Sequence, residues 1–294
     1  MKHKSYSLFK NLIKASLPLL WRWLWRGLFL AISYQLPAIS LYAGGDNFPV
    51  GARSAAMGNA SVTLSDIWSV QHNQAGLGNI KSTTAGIYLE NCYLLNTMNV
   101  GALAVAIPTS TGTFGVVASY FGNELYKDNK FGLAFGKSFG PRFSAGIQID
   151  YMYTILADNY GSAGAFTFEG GVIANITDKL KAGVHVFNPI RSKLADYNDE
   201  RVPTILRSGI SYTFSEKVLV CAEVEKDIDY DAMLKAGIEY HIVQQFYLRA
   251  GISTNPTLNT FGFGLEIKNL KLDFSTSIHQ TLGVSPQFGA TYSF

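Results

Sequence analysis

From Thr83 onward the chain alternates apolar and polar residues with a period of two, and that pattern limits what it can fold into. In residues 143–155, Phe143, Ala145, Ile147, Ile149, Tyr151, Tyr153 and Ile155 take one phase. Ser144, Gly146, Gln148, Asp150, Met152 and Thr154 take the other. The same alternation places Leu234, Ile238 and Tyr240 opposite Lys235, Gly237 and Glu239, and Phe261 and Phe263 opposite Gly262 and Gly264. About fourteen such runs fall near residues 83–93, 97–107, 112–121, 130–139, 142–155, 163–176, 180–189, 204–214, 217–226, 232–242, 245–254, 259–268, 270–279 and 286–294. Successive side chains of a strand face opposite ways, so each run has one greasy and one polar side. Most runs have about the ten residues that cross a bilayer at a barrel's tilt. A sheet in lipid can leave no edge open, because unpaired backbone groups find no water there. The expected fold is all-β: a transmembrane antiparallel β-barrel of about fourteen strands.

Composition agrees. Charged residues make up 15% of the chain, against roughly 25% in soluble domains. A soluble surface would be hard to cover with so few charges, whereas a lipid-facing one needs none. The connections add a second test, since a barrel of this kind alternates tight turns with longer loops. Tight turns are expected at 108–111, 140–141, 177–179, 215–216, 243–244 and 268–269, and longer loops at 122–129, 156–162, 190–203, 227–231 and 280–285.

The first 43 residues read as a secretory signal, with a basic start, an apolar stretch over 27–42, and Leu41 and Ala43 at the positions that precede cleavage. An uncleaved anchor is the alternative, and it would bury Gln35 and Pro37 in its span. Six of the 24 basic residues lie in this segment, which has no acid, so 18 bases face 21 acids in the remainder. A mature chain near −3 has no basic patch for nucleic acid. Residues 44–80 are rich in Gly, Ala, Ser and Asn and are expected to form a plug, or hatch, inside a barrel of residues 81–294. Bacterial outer membrane is the expected location.

The polar phase should face an enclosed, hydrated lumen. Its charges include Arg142, Asp150, Glu169, Lys181, His185, Arg207, Glu223, Glu225, Lys235, Glu239, Arg249, Glu266, Lys268, Lys271 and Asp273. A base turned to lipid near the midplane would cost about 2–4 kcal/mol. With both signs on successive strands, ion pairs that stiffen the barrel and hold the hatch are expected, rather than an ion-selective pore. Neither His72, His185, His241 and His279 nor Cys92 and Cys221, which fall in separate expected strands, have metal-ligand spacing. Neither a nucleophile elbow nor a phosphate loop occurs, so no cofactor and no enzymatic role are expected. Gly170 and Gly171 could mark a strand kink, or merely admit a bulky neighbour.

Two segments carry a resemblance. The terminal run places Phe288, Ala290, Tyr292 and Phe294 on one face, and it resembles the signal read by the barrel-assembly machinery. Residues 51–77 read GARSAAMGNASVTLSDIWSVQHNQAGL. They resemble the N-terminal signature of the FadL superfamily, especially its PorV/PorQ branch, through Gly51, Ala52, Arg53, Ala55, Met57, Gly58, Ala60, Asp66, Asn73, Ala75, Gly76 and Leu77. Gln74 stands where that signature has Pro. The resemblance implies a fourteen-strand barrel with its N-terminal segment folded inside. For the PorV/PorQ branch it implies an escort or anchor for secretion-system proteins, of type IX kind; for FadL-type members it implies passage of small hydrophobic ligands. Short external loops and a charged lumen favour the escort. Outer-membrane lipid is a partner under either reading.

Overall fold

The computed structural model describes residues 47–156, 161–194 and 200–294. The expected export signal at 1–43 and its cut after Ala43 lie outside the described residues. Fourteen antiparallel strands form a closed barrel in which each pairs with its sequence neighbours and β1 pairs with β14. They are β1 (Thr84–Asn91), β2 (Asn99–Pro108), β3 (Thr113–Gly122), β4 (Tyr126–Ser138), β5 (Phe143–Leu156), β6 (Gly161–Asn175) and β7 (Leu180–Phe187). The second half comprises β8 (Ile205–Ser215), β9 (Val218–Asp227), β10 (Met233–Val243), β11 (Phe246–Ser253), β12 (Leu258–Ile267), β13 (Leu270–His279) and β14 (Gly283–Ser293).

Every alternate connection is tight, which gives the barrel a turn end and a loop end. The longest connection joins Phe187 to Ile205. Two loops are shorter than the sequence suggested. β4 begins at Tyr126, because Asp128 and Lys130 keep its inward phase polar where the apolar rhythm had faded. β14 begins at Gly283 and runs through Pro286, which pairs with Thr276. On its other side the β1 ladder ends at Gln287, so the missing N–H of Pro286 breaks no bond there.

The two faces follow the alternation. Ile147 is 69% exposed on the outside, while Gln148 and Asp150 beside it are buried inside. Phe263, Phe274 and Phe288 lie opposite one another across β12, β13 and β14, with ring centroids 5.1 and 5.0 Å apart. Such cross-strand aromatic pairs add roughly 0.2–1 kcal/mol each. The terminal Phe294 donates its N–H to Thr83 O at 2.8 Å, and its ring meets Tyr292 edge-on at 4.9 Å. If the outer face meets acyl chains, Ile147→Arg should cost about 2–4 kcal/mol of barrel stability. Urea unfolding in lipid vesicles measures it, and a change below 0.5 kcal/mol would contradict the lipid-facing assignment.

The inner face departs from expectation at β1 to β3. There it is apolar and small, with Val100, Ala102, Ala104, Ala106 and Val117 packed against Ile67, Trp68, Val70 and Leu77 of the hatch. Arg142 and Lys268 are also corrected. Both sit on turns and are exposed, since the chain reverses before the inward phase reaches them. Cys92 lies in a 3-10 turn after β1 rather than in a strand, and both cysteines are free.

Candidate functional site

The hatch is built from short pieces. Helix α1 (Ala52–Ala56) is followed by an extended stretch, then α2 (Ser69–His72) and a 3-10 turn over Gln74–Asn79. None is long enough to be stable alone, so the wall must hold them. Asp66 starts α2, accepting the Trp68 N–H at 3.0 Å. Asn73 caps the 3-10 turn, accepting from Ala75 N–H at 3.2 Å. Its amide nitrogen also donates to Val62 O and Val172 O. The turn forms without the proline of the resembling signature, and Gln74 ties it back by donating to Val70 O at 3.2 Å.

The wall accommodates this backbone with glycine. On strand after strand a glycine faces inward at the height of the hatch. Gly136, Gly146 and Gly171 lie side by side across β4, β5 and β6, as do Gly237 and Gly251 across β10 and β11. A Cβ on Gly146 would sit 2.4 Å from Gln74 C, and one on Gly251 would sit 2.2 Å from Gly58 N. The hatch therefore lies with its main chain against the wall. Gly171 has the same use: a Cβ there would meet Asn73 Oδ1 at 2.4 Å, and β6 runs unbroken through it. The kink considered for Gly170 and Gly171 is not formed. Next to Gly251, Thr260 donates its hydroxyl to Ala56 O at 2.9 Å and accepts the Gly58 N–H at 3.0 Å.

Charges join hatch to wall in three clusters, the third through Lys130, which donates to Asn47 at 3.1 Å. In the first, Arg53 holds both oxygens of Glu239, at 2.8 and 2.9 Å, and reaches Asp66 at 3.1 Å. Arg249 then links Glu239, at 2.6 Å, to Asp273, at 2.5 Å. Burial works against the Arg53 charge, but Glu239 and Asp66 more than offset it and hold the guanidinium above its usual range. In the second, one oxygen of Glu223 accepts the Ser61 and Val62 N–H groups at 2.7 and 2.8 Å. Lys235 sits between Glu223 and Glu225, and Arg207 pairs with Glu225 at 2.6 Å. In the third, Glu169 takes Lys130 at 2.7 Å and His185 at 2.9 Å, with Asp150 at 3.5 Å from Lys130. Glu266 stands apart near the turn end, paired with Lys271 at 3.0 Å.

Among the hatch residues named from sequence, Met57, Asn73, Gln74 and Leu77 are fully buried, and Trp68 crowds Gly51 while Ser69 crowds Gly76. Lys130, Asn47 and Thr260 were missed. Lys130 was hidden at a strand start that sequence placed too late. Thr260 offers only one polar residue in an inward phase, and Asn47 precedes the periodic region altogether.

His72 gives a testable consequence. Its Nε2 lies 2.7 Å from Val50 O and 3.1 Å from Ser54 Oγ, so that nitrogen bears the hydrogen of a neutral ring. Burial, together with Arg207, brings its pKa down from 6.5 to about 3. The unfolded chain gains a proton near pH 6.5 and the folded hatch does not. The His72 contribution to stability is full above about pH 6.5 and falls by about 1.4 kcal/mol per pH unit below it. His72→Gln should lessen the loss of stability on acidification by about that amount, in melting curves taken between pH 7 and 4.5.

The hatch separates two kinds of space. Towards the turn end lie pockets of about 250 and 180 Å³, both bordered by Arg53, Glu239 and His241. Towards the loop end lies a chamber of about 300 Å³. Phe48, Tyr88, Met98, Val100, Phe121 and Leu258 give it an apolar wall, and Arg207, Glu225 and Lys235 stand opposite.

No protein-family model matches the chain, and no curated protein matches its sequence. Solved structures do. The Ralstonia pickettii toluene transporter TbuX aligns with a TM-score of 0.67 at 14% identity, over 83% of this chain and 98% of its own. The Pseudomonas putida toluene transporter TodX gives 0.64 at 13%, over 85% and 98%. A Pseudomonas aeruginosa FadL homologue gives 0.60 at 12%, over 84% and 99%. At such identities the likeness is one of architecture, and the chain has the fold of the FadL-type outer-membrane barrels.

Proposed function

We propose that this protein is a non-enzymatic barrel of the bacterial outer membrane that takes small, largely apolar molecules into its loop-end chamber and passes them inward when the hatch shifts. The chamber carries this reading. It is a concave space with an apolar aromatic wall and a few polar groups, the usual character of a small-molecule site. The fold-mates named as toluene transporters support passage over the escort role that the PorV/PorQ resemblance favoured. In this arrangement the loop end faces outward, and the barrel-assembly machinery reads the strand ending in Phe288, Tyr292 and Phe294.

The test uses intact cells, because a lipopolysaccharide leaflet resists apolar solutes that cross ordinary bilayers unaided. Cells displaying the full chain should accumulate labelled toluene several-fold faster than matched cells without it. Equal rates, together with a stoichiometric protein partner recovered from mild detergent, would replace passage with escort.

A further inference from the structure

The chamber's charges are unevenly matched. Its lining holds two cations, Arg207 and Lys235, and three carboxylates, Glu90, Glu225 and Asp227. Both cations are committed to Glu225, at 2.6 and 2.7 Å, and Lys235 is shared with Glu223 as well. No cation is left over for a ligand's carboxylate. Asp227 lies at the loop end of β9, where it accepts the Asp229 N–H at 3.0 Å.

Glu90 is different. It is half-buried at the end of β1 and, among the described residues, forms no ion pair. One oxygen accepts the Tyr88 hydroxyl at 2.6 Å and the other the Gln287 side-chain N–H at 3.2 Å. Two donors aimed at two oxygens suit an ionised carboxylate with lone pairs to spare. Gln287, whose side-chain N–H points at Glu90, lines the chamber as well. Glu90 thus carries a charge that neither chamber cation answers. Beside it stands an aromatic wall, where Phe48 and Phe121 stack on each other with centroids 4.1 Å apart and 22° between planes.

We infer that the chamber selects amphipathic cations: an aromatic or alkyl body against Phe48, Phe121 and Val100, and an ammonium head held by the Glu90 carboxylate. The inference rests on the chamber being a ligand site, and it narrows that reading from apolar molecules in general to apolar amines. An ammonium offers three donors and a charge, which matches what Glu90 lacks. A charge-assisted hydrogen bond sheltered from water is worth more than a neutral one.

Three probes of one shape separate the possibilities: phenylpropylamine, phenylpropanol and phenylpropanoate, titrated by calorimetry into the full chain in lipid nanodiscs near neutral pH. The amine should bind about tenfold or more tighter than the alcohol, and the carboxylate weakest. Glu90→Gln, which keeps a side chain of the same size, should bring the amine's affinity to within about twofold of the alcohol's. Equal affinity of amine and alcohol in the wild-type chain would overturn the amine preference while leaving the chamber as a site for apolar ligands. Failure of all three to saturate would overturn both. The wild-type comparison stands even if the variant assembles poorly.

Discussion

Gly251→Val should open the barrel without dismantling it. A Cβ at Gly251 would lie 2.2 Å from Gly58 N and 2.3 Å from Met57 C, both main-chain atoms of the hatch. Main chain cannot rotate aside as a side chain can. The strand itself gains from the change, because a β-branched residue suits a pleated wall better than glycine does. The substitution therefore opposes hatch and barrel directly. The barrel closes through its strand ladders, and the hatch is left unseated from Met57 to Asn59. In planar bilayers the wild-type chain should conduct little, and Gly251→Val should conduct in steps at least several-fold larger. The control is Gly170→Ala. Gly170 lies on the outward phase of β6, where a Cβ would meet only Gly146 and Ile147 of the neighbouring strand. Equal conductance of Gly251→Val and wild type would mean that the close wall contacts do not hold the hatch in place.

Glu239→Leu should have the second large effect, by a different route. Glu239 is 3% exposed and accepts from both Arg53 and Arg249. Removing it leaves two guanidiniums facing each other, with Asp66 and Asp273 as their remaining partners. Removing one member of a buried pair typically costs about 3–5 kcal/mol, mostly the cost of the orphaned charge. Arg53 keeps 24% of its side chain exposed, so the lower end of that range applies. Amide exchange over Ala52–Asn59 should accelerate by about a hundredfold, since each 1.4 kcal/mol is a factor of ten. The double variant Glu239→Leu with Arg53→Met should exchange more slowly than the single one, because one orphan is gone. If the two losses simply add, the residues are not coupled and Arg53 is not the link between hatch and wall.

Much of the wall was legible beforehand. The period of two placed Ile147 outside and Asp150 inside because a strand reverses direction at each residue, and lipid tolerates only one of those sides. Closure into a ring followed, since an open edge has no partner in hydrocarbon. Strand ends were less legible. At Tyr126 and Gly283 the strands extend beyond the apolar band, so the contrast that marks a strand disappears there while the hydrogen bonds continue. Arg142 and Lys268 were misplaced for the related reason that parity continues on paper after the chain has turned.

The glycines show what sequence withheld. A glycine on the inward phase is visible in the chain, but its use is not, because the atoms it makes room for lie up to two hundred residues away. Gly251 faces Gly58, Gly146 faces Gln74, and Gly171 faces Asn73. The ion pairs are similar. Sequence put Glu239, Arg249 and Asp273 on the inward face of their strands, and only the folded hatch brought Arg53 to them. Sequence by itself determined which residues of each strand point outward and which point inward, because that depends on local geometry alone. The tertiary structure decided where the hatch rests, which charges it borrows and what chamber remains above it, because those depend on distances between segments that the chain does not encode locally.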